Sequence, residues 1–596
     1  MPSYKAPLDE YRFILNEVHD AGALCQMPGF EEATPDLIES ILEEAGKFCE
    51  SVLQPLNQSG DAEGCTFENG VVRTPKGFKE ADDQFTEGGW PGLACSPEYG
   101  GQGLPETVGF VVEELMCAAN VSFGIYPGLT VGAFNAINAH ASAGLKSAYL
   151  PKMATGEWSG TMCLTEAHCG TDLGLIKTRA VPQDDGSYKI TGTKIFISAG
   201  DHDLTKNIIH LVLAKLPGAP EGTKGISLFI VPKFLPGADG EAGPRNGVQC
   251  GSIEHKMGIK GSATCVMNFD DATGWLVGEP NAGMRAMFTM MNAARLGVSM
   301  QGLAIAEVSR QNAAIYAKDR LQGRALTGVK EPAKPADPII VHPDVRKNLL
   351  EAKAFIEGGR ALAMLVGLQL DASRHHPDAA TRDTANDFIA LLTPVIKAYF
   401  TDMGTDIAIK MQQMYGGHGY IREWGMEQFV RDARIFMLYE GANAVQALDL
   451  VGRKLPAGGG RAVRTFLGMV QADLDAAKGD AVLETIANPL ASALGKLQQA
   501  TMWLAQNGLS NPDEAGGAST DYLRIFALVS LGWMWLNMAK AAQGKGGADG
   551  LSPQFYGAKL MTAQFFAQRM LPEVDSRLKM LTSGSKIMME MAVDQF

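Results

Sequence analysis

Hydrophobic periodicity switches twice along this chain, and the switch restricts the fold more than any single motif. From about residue 36 to 150 the apolar residues recur at helical spacing. Pro35-Asp36 starts one helix, on which Ile38, Ile41, Leu42, Ala45 and Phe48 share a face. From about 160 the pattern becomes β-rich: Thr161 to Thr165, Tyr188 to Ser198, Ile208 to Ala214 and Gly225 to Val231 are separated by turn residues such as Asp184-Asp185-Gly186. Gln249 to Asp270 continues the strand character, which predicts a small barrel or sandwich. Helical periodicity returns at Gly283 and runs to about 452, with Met284, Met287, Met291, Leu296 and Met300 on its first helix. Leu326 to Pro338, rich in Lys and Pro, reads as an exposed loop. Pro456-Ala457-Gly458-Gly459-Gly460 marks a boundary, and beyond it lie further helices with loops at Asn507 to Ser519 and Gln543 to Gly550. The prediction is an α+β chain in five parts: an N-terminal extension (1–35), a helical domain (36–158), a β domain (159–279), a second helical domain (280–454) and a helical extension (455–596). No repeat at a solenoid period is visible.

Composition excludes several functions. The formal charge is −14 and no Lys/Arg block stands out, which argues against a nucleic-acid partner. The nine cysteines form no CxxC pair and none lies beyond 265, which predicts reduced thiols. Cys163, His168 and Cys169 fit no common zinc spacing, so no metal is expected. The start, MPSYKAPLDEYRF, has no apolar leader core, and the apolar run Ile525 to Leu536 is too short to span a bilayer and suits a buried helix.

Two segments invite a chemical reading. Pro97 to Pro105 holds several glycines, but no strand precedes it and Pro105 follows, so the context for a dinucleotide turn is missing. Glu440 lies in Leu438-Tyr439-Glu440-Gly441-Ala442-Asn443. Phe429 to Leu438 predicts an amphipathic helix, Gly441 interrupts it, and Asn443 is positioned to cap a following helix, Ala444 to Lys454. A carboxylate at such a junction, flanked by Leu438 and Tyr439, would be poorly solvated, and desolvation turns a surface acid into a usable general base. A solvated acid at a helix end is the plain alternative.

From about 36 to 453 the sequence resembles the acyl-CoA dehydrogenases, in that family's domain order. Cys163-Leu164-Thr165-Glu166-Ala167-His168-Cys169-Gly170-Thr171-Asp172 is similar to the family's flavin-binding strand and turn, which implies contacts from Thr165 to the flavin ring and from Thr171 to its pyrophosphate. Lys194-Ile195-Phe196-Ile197-Ser198 resembles the strand beside the flavin's reactive edge, with Phe196 where many members have tryptophan and Ser198 where many have threonine. Asp319-Arg320-Leu321-Gln322-Gly323 corresponds to the segment that reaches the diphosphate of a neighbouring subunit. Arg320 supplies the charge, and Gln322 lies near a usual phenylalanine. Gln413-Met414-Tyr415-Gly416-Gly417-His418-Gly419-Tyr420 implies nucleotide contacts from Gln413, Gly416 and Gly417. Arg431 to Gly441 places Glu440 at the catalytic-base position. Relatives that carry the base on an earlier helix would have it near Ala294, where this chain has no carboxylate. Met291 is a candidate liner of the acyl pocket, Arg295 matches a residue that helps hold CoA, and Asn292 replaces a usual aspartate.

The resemblance implies the family's three-domain fold, FAD, an acyl-CoA substrate oxidised to a trans-2-enoyl-CoA, and an electron-transfer flavoprotein as acceptor. The long tail is similar to that of large bacterial members and of the very-long-chain branch, which implies a homodimer, and the reduced thiols with a start that lacks a leader core lead to a bacterial cytoplasmic expectation. The start MPSYKAPL, the segment KIFISAGDHDL and the tail most resemble the branch acting on a short thioether acyl chain, 3-(methylthio)propanoyl-CoA. Straight-chain acyl-CoA substrates of other lengths stay open, because the sequence does not expose the pocket floor. An acyl-CoA oxidase would use the same base and return electrons to oxygen. A non-enzymatic acyl-CoA- or flavin-binding protein would need no base, and Glu440 argues against it.

Overall fold

The computed structural model describes residues 2–545 and 550–596. Part of the loop expected at Gln543 to Gly550 lies outside the described residues. The chain divides into two compact units, Ala45–Gly297 and a second made of Met1–Glu44 with Val298–Phe596.

In the Ala45–Gly297 unit the sheet begins at β1 (Trp158–Cys163), followed by β2 (Arg179–Pro182), β3 (Tyr188–Ser198), β4 (Asn207–Lys215), β5 (Ile226–Pro232), β6 (Val248–Ile253) and β7 (Thr264–Val277). Their order is β6-β7-β3-β2-β4-β1, and β5 pairs with both β7 and β4, so the sheet closes on itself as a small barrel. The Gln249–Asp270 stretch is not one strand. A loop between Ile253 and Thr264 lets its halves pair antiparallel, Val248 opposite Phe269 and Ile253 opposite Cys265. β1 starts at Trp158 and ends at Cys163, earlier than the sequence pattern predicted, because its parallel partner β4 begins at Asn207 opposite Trp158. Sequence reading also passed over a short hairpin, Thr66–Glu68 with Val71–Arg73.

The long Glu106–His140 helix of this unit breaks at Asn120, whose φ of −160° and ψ of 92° are not helical. The Asn120 side chain accepts from the Phe123 backbone N–H at 3.2 Å and donates to the Leu53 carbonyl at 3.3 Å, so it caps the second half of the helix.

In the other unit, helices Pro343–His375, Ala379–Met414 and Pro512–Ala542 form the centre. Glu106–His140 and Pro512–Ala542 are each long and apolar enough to cross a membrane, but 89% and 83% of their apolar windows are buried inside the protein, as core helices are. The second contains Ile525 to Leu536, which is buried along its length. Trp535, fully buried, donates its indole N–H to the Ala354 carbonyl at 2.9 Å, and Gly358 provides the room: a Cβ there would lie 2.7 Å from that nitrogen. The N-terminal segment is tied to the extension by a buried cation. Lys559 binds Glu357 at 2.9 Å and also Glu10, while Phe13 packs edge-on against Phe555. The Glu357 carboxyl would be raised by burial, but Lys559 and Lys353 outweigh that and hold it at about 2.

Candidate active site

The helix that leads to Glu440 is shorter than its amphipathic pattern predicted. It runs Met426–Ala433 and tightens into a 3-10 turn, Arg434–Met437. The Leu438 and Tyr439 N–H groups both donate to the Ile435 carbonyl, and the chain then swings into left-handed backbone, with φ of 56° at Glu440 and 87° at Gly441. Glycine takes that conformation freely. For a glutamate it costs about 1–2 kcal/mol, so the surroundings must hold it.

They do so through one buried lysine and two amides. Lys397, fully buried on the Ala379–Met414 helix, donates to the Gly441 carbonyl at 2.8 Å and to Asn443 Oδ1 at 2.9 Å. Gln446 donates to the carbonyls of Glu440 and Gly441 at 3.3 and 3.4 Å. Asn443 is not the expected N-cap. Ala442 occupies that place, the helix is Asn443–Asp449, and Leu450–Lys454 is a π turn. The Asn443 amide instead donates to Thr401 Oγ1 at 2.9 Å and Asp402 Oδ1 at 2.6 Å. These tertiary partners displace the local cap because the Val445 N–H is already met by the Ala442 carbonyl. Glu440 itself is half-buried, and the Tyr439 hydroxyl donates to Gln301.

The same unit gathers the residues expected to face a dinucleotide. Tyr316 stacks on Tyr415 with ring centroids 4.0 Å apart and meets His418 Nδ1 at 3.0 Å, and His418 stacks on Trp424. This aromatic lock joins the helix end before Arg320 to the Gln413–Tyr420 turn. Arg320, Gln322, Gln413, Gly416 and Gly417 are exposed. A Cβ at Gly416 or Gly417 would meet nothing within 4 Å, and Gly416, at φ 57° and ψ −135°, adopts a backbone closed to other residues. The Gln322 carbonyl is engaged by His342 at 3.0 Å.

In the Ala45–Gly297 unit, β3 and β7 slip register: Ile197 faces Cys265 but Lys194 faces Met267. The resulting bulge puts Phe196 in left-handed backbone, φ 58°, and turns its ring outward, 61% exposed. Ser198 pairs with Thr264 at the strand end, and the Thr165 carbonyl accepts from the Ile195 N–H at 2.9 Å, which brings the β1 turn beside the bulge. Thr171 is exposed in that turn. Beneath it lies a buried ion pair that sequence reading missed. Lys194, fully buried, donates to Glu166 Oε1 and to the Leu164 carbonyl, both at 2.9 Å. Burial would raise the Glu166 carboxyl, but the Lys194 charge and hydrogen bonds from Thr178 and the Lys177 N–H hold it at about 2. Donor atoms of Glu166, His168 and Cys169 lie within 4.8 Å of one another, but the Glu166 oxygens are already committed to these partners. Arg295 is nearly buried and reaches Asn292 at 3.5 Å, Asn292 is exposed, and Met291 packs on the hydrophobic cluster around Met287 and Met290.

Each unit by itself offers features that suit a flavin dinucleotide: the Ala45–Gly297 unit has the exposed Phe196 ring on its bulge, a wall for the ring, and the other unit has the exposed Arg320, a cation for a diphosphate, and the open glycines Gly416 and Gly417, bare backbone for a nucleotide. The residues present fit that group.

Comparison with known proteins decides the family. Family models match residues 36–157, 161–272 and 281–455 as the N-terminal, middle and C-terminal domains of acyl-CoA dehydrogenase, and residues 466–592 as an acetyl-CoA dehydrogenase C-terminal-like domain. The chain belongs to the acyl-CoA dehydrogenase family. It is accordingly an FAD-dependent oxidoreductase that acts on acyl-CoA. Among curated relatives, the 3-methylmercaptopropionyl-CoA dehydrogenase of Ruegeria pomeroyi is 43% identical over 581 residues, covering 97% of this chain and 98% of its own. Among solved structures, Caenorhabditis elegans ACDH-11 in complex with C11-CoA superposes with a TM-score of 0.78 at 18% identity, covering 96% of this chain and 92% of that one. A Bacillus anthracis acyl-CoA dehydrogenase complexed with FAD gives 0.75 at 21%, covering 96% and 91%. These two likenesses speak for the acyl-CoA dehydrogenase fold, its C-terminal extension included.

Lys397 could have been found in the sequence. It interrupts the apolar run Leu391 to Phe400, and a lysine there has to be buried with partners. Lys194, between Thr193 and Ile195 in a strand, carried the same signal more faintly.

Proposed function

We propose that this acyl-CoA dehydrogenase oxidises the Cα–Cβ bond of a short thioether acyl-CoA, 3-(methylthio)propanoyl-CoA, to the trans-2-enoyl thioester. Glu440 is the catalytic base and takes the α-proton. Its own backbone N–H, held in place by the Lys397–Gly441–Asn443–Gln446 clamp, donates to the thioester oxygen and stabilises the charge that develops as the proton leaves. A preorganised donor of this kind is worth about 3–4 kcal/mol in the transition state. A bound flavin would supply the acceptor for the β-hydrogen, which leaves as hydride. Thr165, Phe196 and Ser198 would orient its ring, Thr171 would meet its pyrophosphate, Gln413, Gly416 and Gly417 would face the nucleotide, and Arg320, with Gln322 in the same segment, would reach the diphosphate of a neighbouring subunit's flavin. Arg295 and Asn292 hold the CoA portion, and Met291 lines the acyl pocket.

The observation that carries this reading is the strained Glu440. Left-handed backbone at a glutamate, held by a buried lysine, is retained where a site needs the carboxylate in one place. The thioether preference is supported by the near full-length likeness to the Ruegeria pomeroyi enzyme. Electrons leave to an electron-transfer flavoprotein, and the protein works as a homodimer in the bacterial cytoplasm. Anaerobic flavin bleaching across short straight-chain, thioether and long acyl-CoAs tests the reading: fastest bleaching by 3-(methylthio)propanoyl-CoA is expected, and equal or faster bleaching by long chains contradicts it.

A further inference from the structure

The C-terminal extension reaches the turn that carries Glu440 through one arginine. Arg524 lies on the Pro512–Ala542 helix, which packs on the Asn443–Asp449 helix that follows Glu440. Its Nε and Nη2 donate to the two carboxylate oxygens of Glu573, both at 3.0 Å, and this fork fixes the plane of the guanidinium. Held so, the guanidinium carbon sits 4.6 Å from the centre of the Tyr399 ring, and Nη1 meets Met403 Sδ at 3.3 Å.

Tyr399 and Met403 are four residues apart, so they are neighbours on one side of the Ala379–Met414 helix. The residues interleaved with them hold the Glu440 turn. Lys397 donates to the Gly441 carbonyl and to Asn443 Oδ1, the Ala398 carbonyl accepts from the Asn443 amide at 3.1 Å, and the same amide reaches Thr401 and Asp402. The stretch 397–403 is thus gripped by the Glu440 turn on one side and by the extension on the other. Asp402 answers to both. It accepts from Asn443 at 2.6 Å, and burial pushes its carboxyl up while that bond, and then the charges of Arg524, Lys397 and Arg434, favour its ionised form. An arginine keeps its charge at any working pH, so Arg524 is a permanent cation in this set.

Resting on the reading of Glu440 as the base, we propose that Arg524 is a positioning residue for the dehydrogenation: through Tyr399, Met403 and Asp402 it holds the 397–403 stretch against the Glu440 turn, so that the C-terminal extension serves the chemistry of this site. Arg577 separates this role from simple fastening of the extension. It donates to the same Glu573 Oε1 at 2.9 Å and to Asp521 Oδ1 at 3.1 Å, and both partners belong to the extension.

The test uses the FAD-loaded full-length enzyme and anaerobic stopped-flow bleaching over a range of concentrations of the acyl-CoA that bleaches the wild type fastest. Arg524→Met should lower the limiting rate about tenfold, a fraction of what a base displaced by 1 Å loses, with the half-saturating concentration changed by less than about twofold and the flavin content unchanged. Arg577→Met should lower the unfolding temperature, as Arg524→Met does, yet keep the wild-type limiting rate. Glu573→Gln leaves the arginine in place but removes the charge that aims it, and should lower the limiting rate about threefold. If Arg524→Met does not fold, Glu573→Gln decides. A wild-type limiting rate in the deciding variant, or an equal loss in Arg577→Met, would overturn the proposal. Glu440→Gln is run alongside. Slow bleaching by that variant, together with a wild-type rate in Arg524→Met, overturns the positioning role alone, whereas wild-type bleaching by Glu440→Gln overturns the base reading on which it rests.

Discussion

The Lys397 ammonium donates to the carbonyl of Gly441 at 2.8 Å, one residue beyond Glu440. A fully buried cation thus fixes the backbone that sets the direction of the Glu440 side chain. A point charge of this kind is better suited than a neutral amide to hold a strained turn, because its hydrogen bonds are charge-assisted.

Replacing Lys397 with Met should therefore damage rate more than binding. A base displaced by about 1 Å loses on the order of 100-fold in rate. Stopped-flow bleaching at saturating acyl-CoA should show that loss with KM changed little, and the variant should still bind flavin. A proportional rise in KM with an unchanged limiting rate would mean that the clamp serves binding instead.

Gly416 offers a separate handle on the nucleotide side. A Cβ there has open space, so Gly416→Ala meets no clash, and its cost comes from the backbone at φ 57° and ψ −135°. About 1–3 kcal/mol of local strain is expected. It should appear as weaker flavin retention on dilution, with thermal unfolding of the flavin-free protein shifted by only a few degrees.

The Lys194–Glu166 pair under the β1 turn should behave as a buried ion pair. Lys194→Met leaves Glu166 uncompensated and should cost about 3–5 kcal/mol in urea unfolding. The pH dependence follows from the depressed Glu166 carboxyl. Its folded value, about 2, lies below the ordinary 4.5, so its contribution is fully present above pH 4.5 and is lost as pH falls towards 2. Lowering the pH from about 6 to about 3.5 should therefore destabilise the wild type more steeply than Lys194→Met.

The fold was legible where the hydrophobic period was unambiguous. β3 runs Tyr188–Ser198 as the alternation predicted, and the switch back to helix falls at Gly283. Legibility failed where tertiary partners override local signals. Asn443 reads as a cap, but Lys397, Thr401 and Asp402, more than forty positions away, take its side chain. Phe429 to Leu438 has one amphipathic pattern, but the approach to Glu440 forces its last turn into a 3-10 form. Among the candidate site residues, the motif order showed which ones to watch, and the backbone showed what no motif encodes: left-handed conformations at Phe196 and Glu440, both non-glycine.

The most direct test of the central claim is anaerobic reduction of Glu440→Gln by 3-(methylthio)propanoyl-CoA, followed by flavin absorbance. The substitution keeps the side chain's size and removes its capacity to take a proton, so the variant should hold flavin with an unchanged resting spectrum and bleach at least about 1,000-fold more slowly than the wild type. Bleaching at the wild-type rate would contradict the assignment of Glu440 as the base.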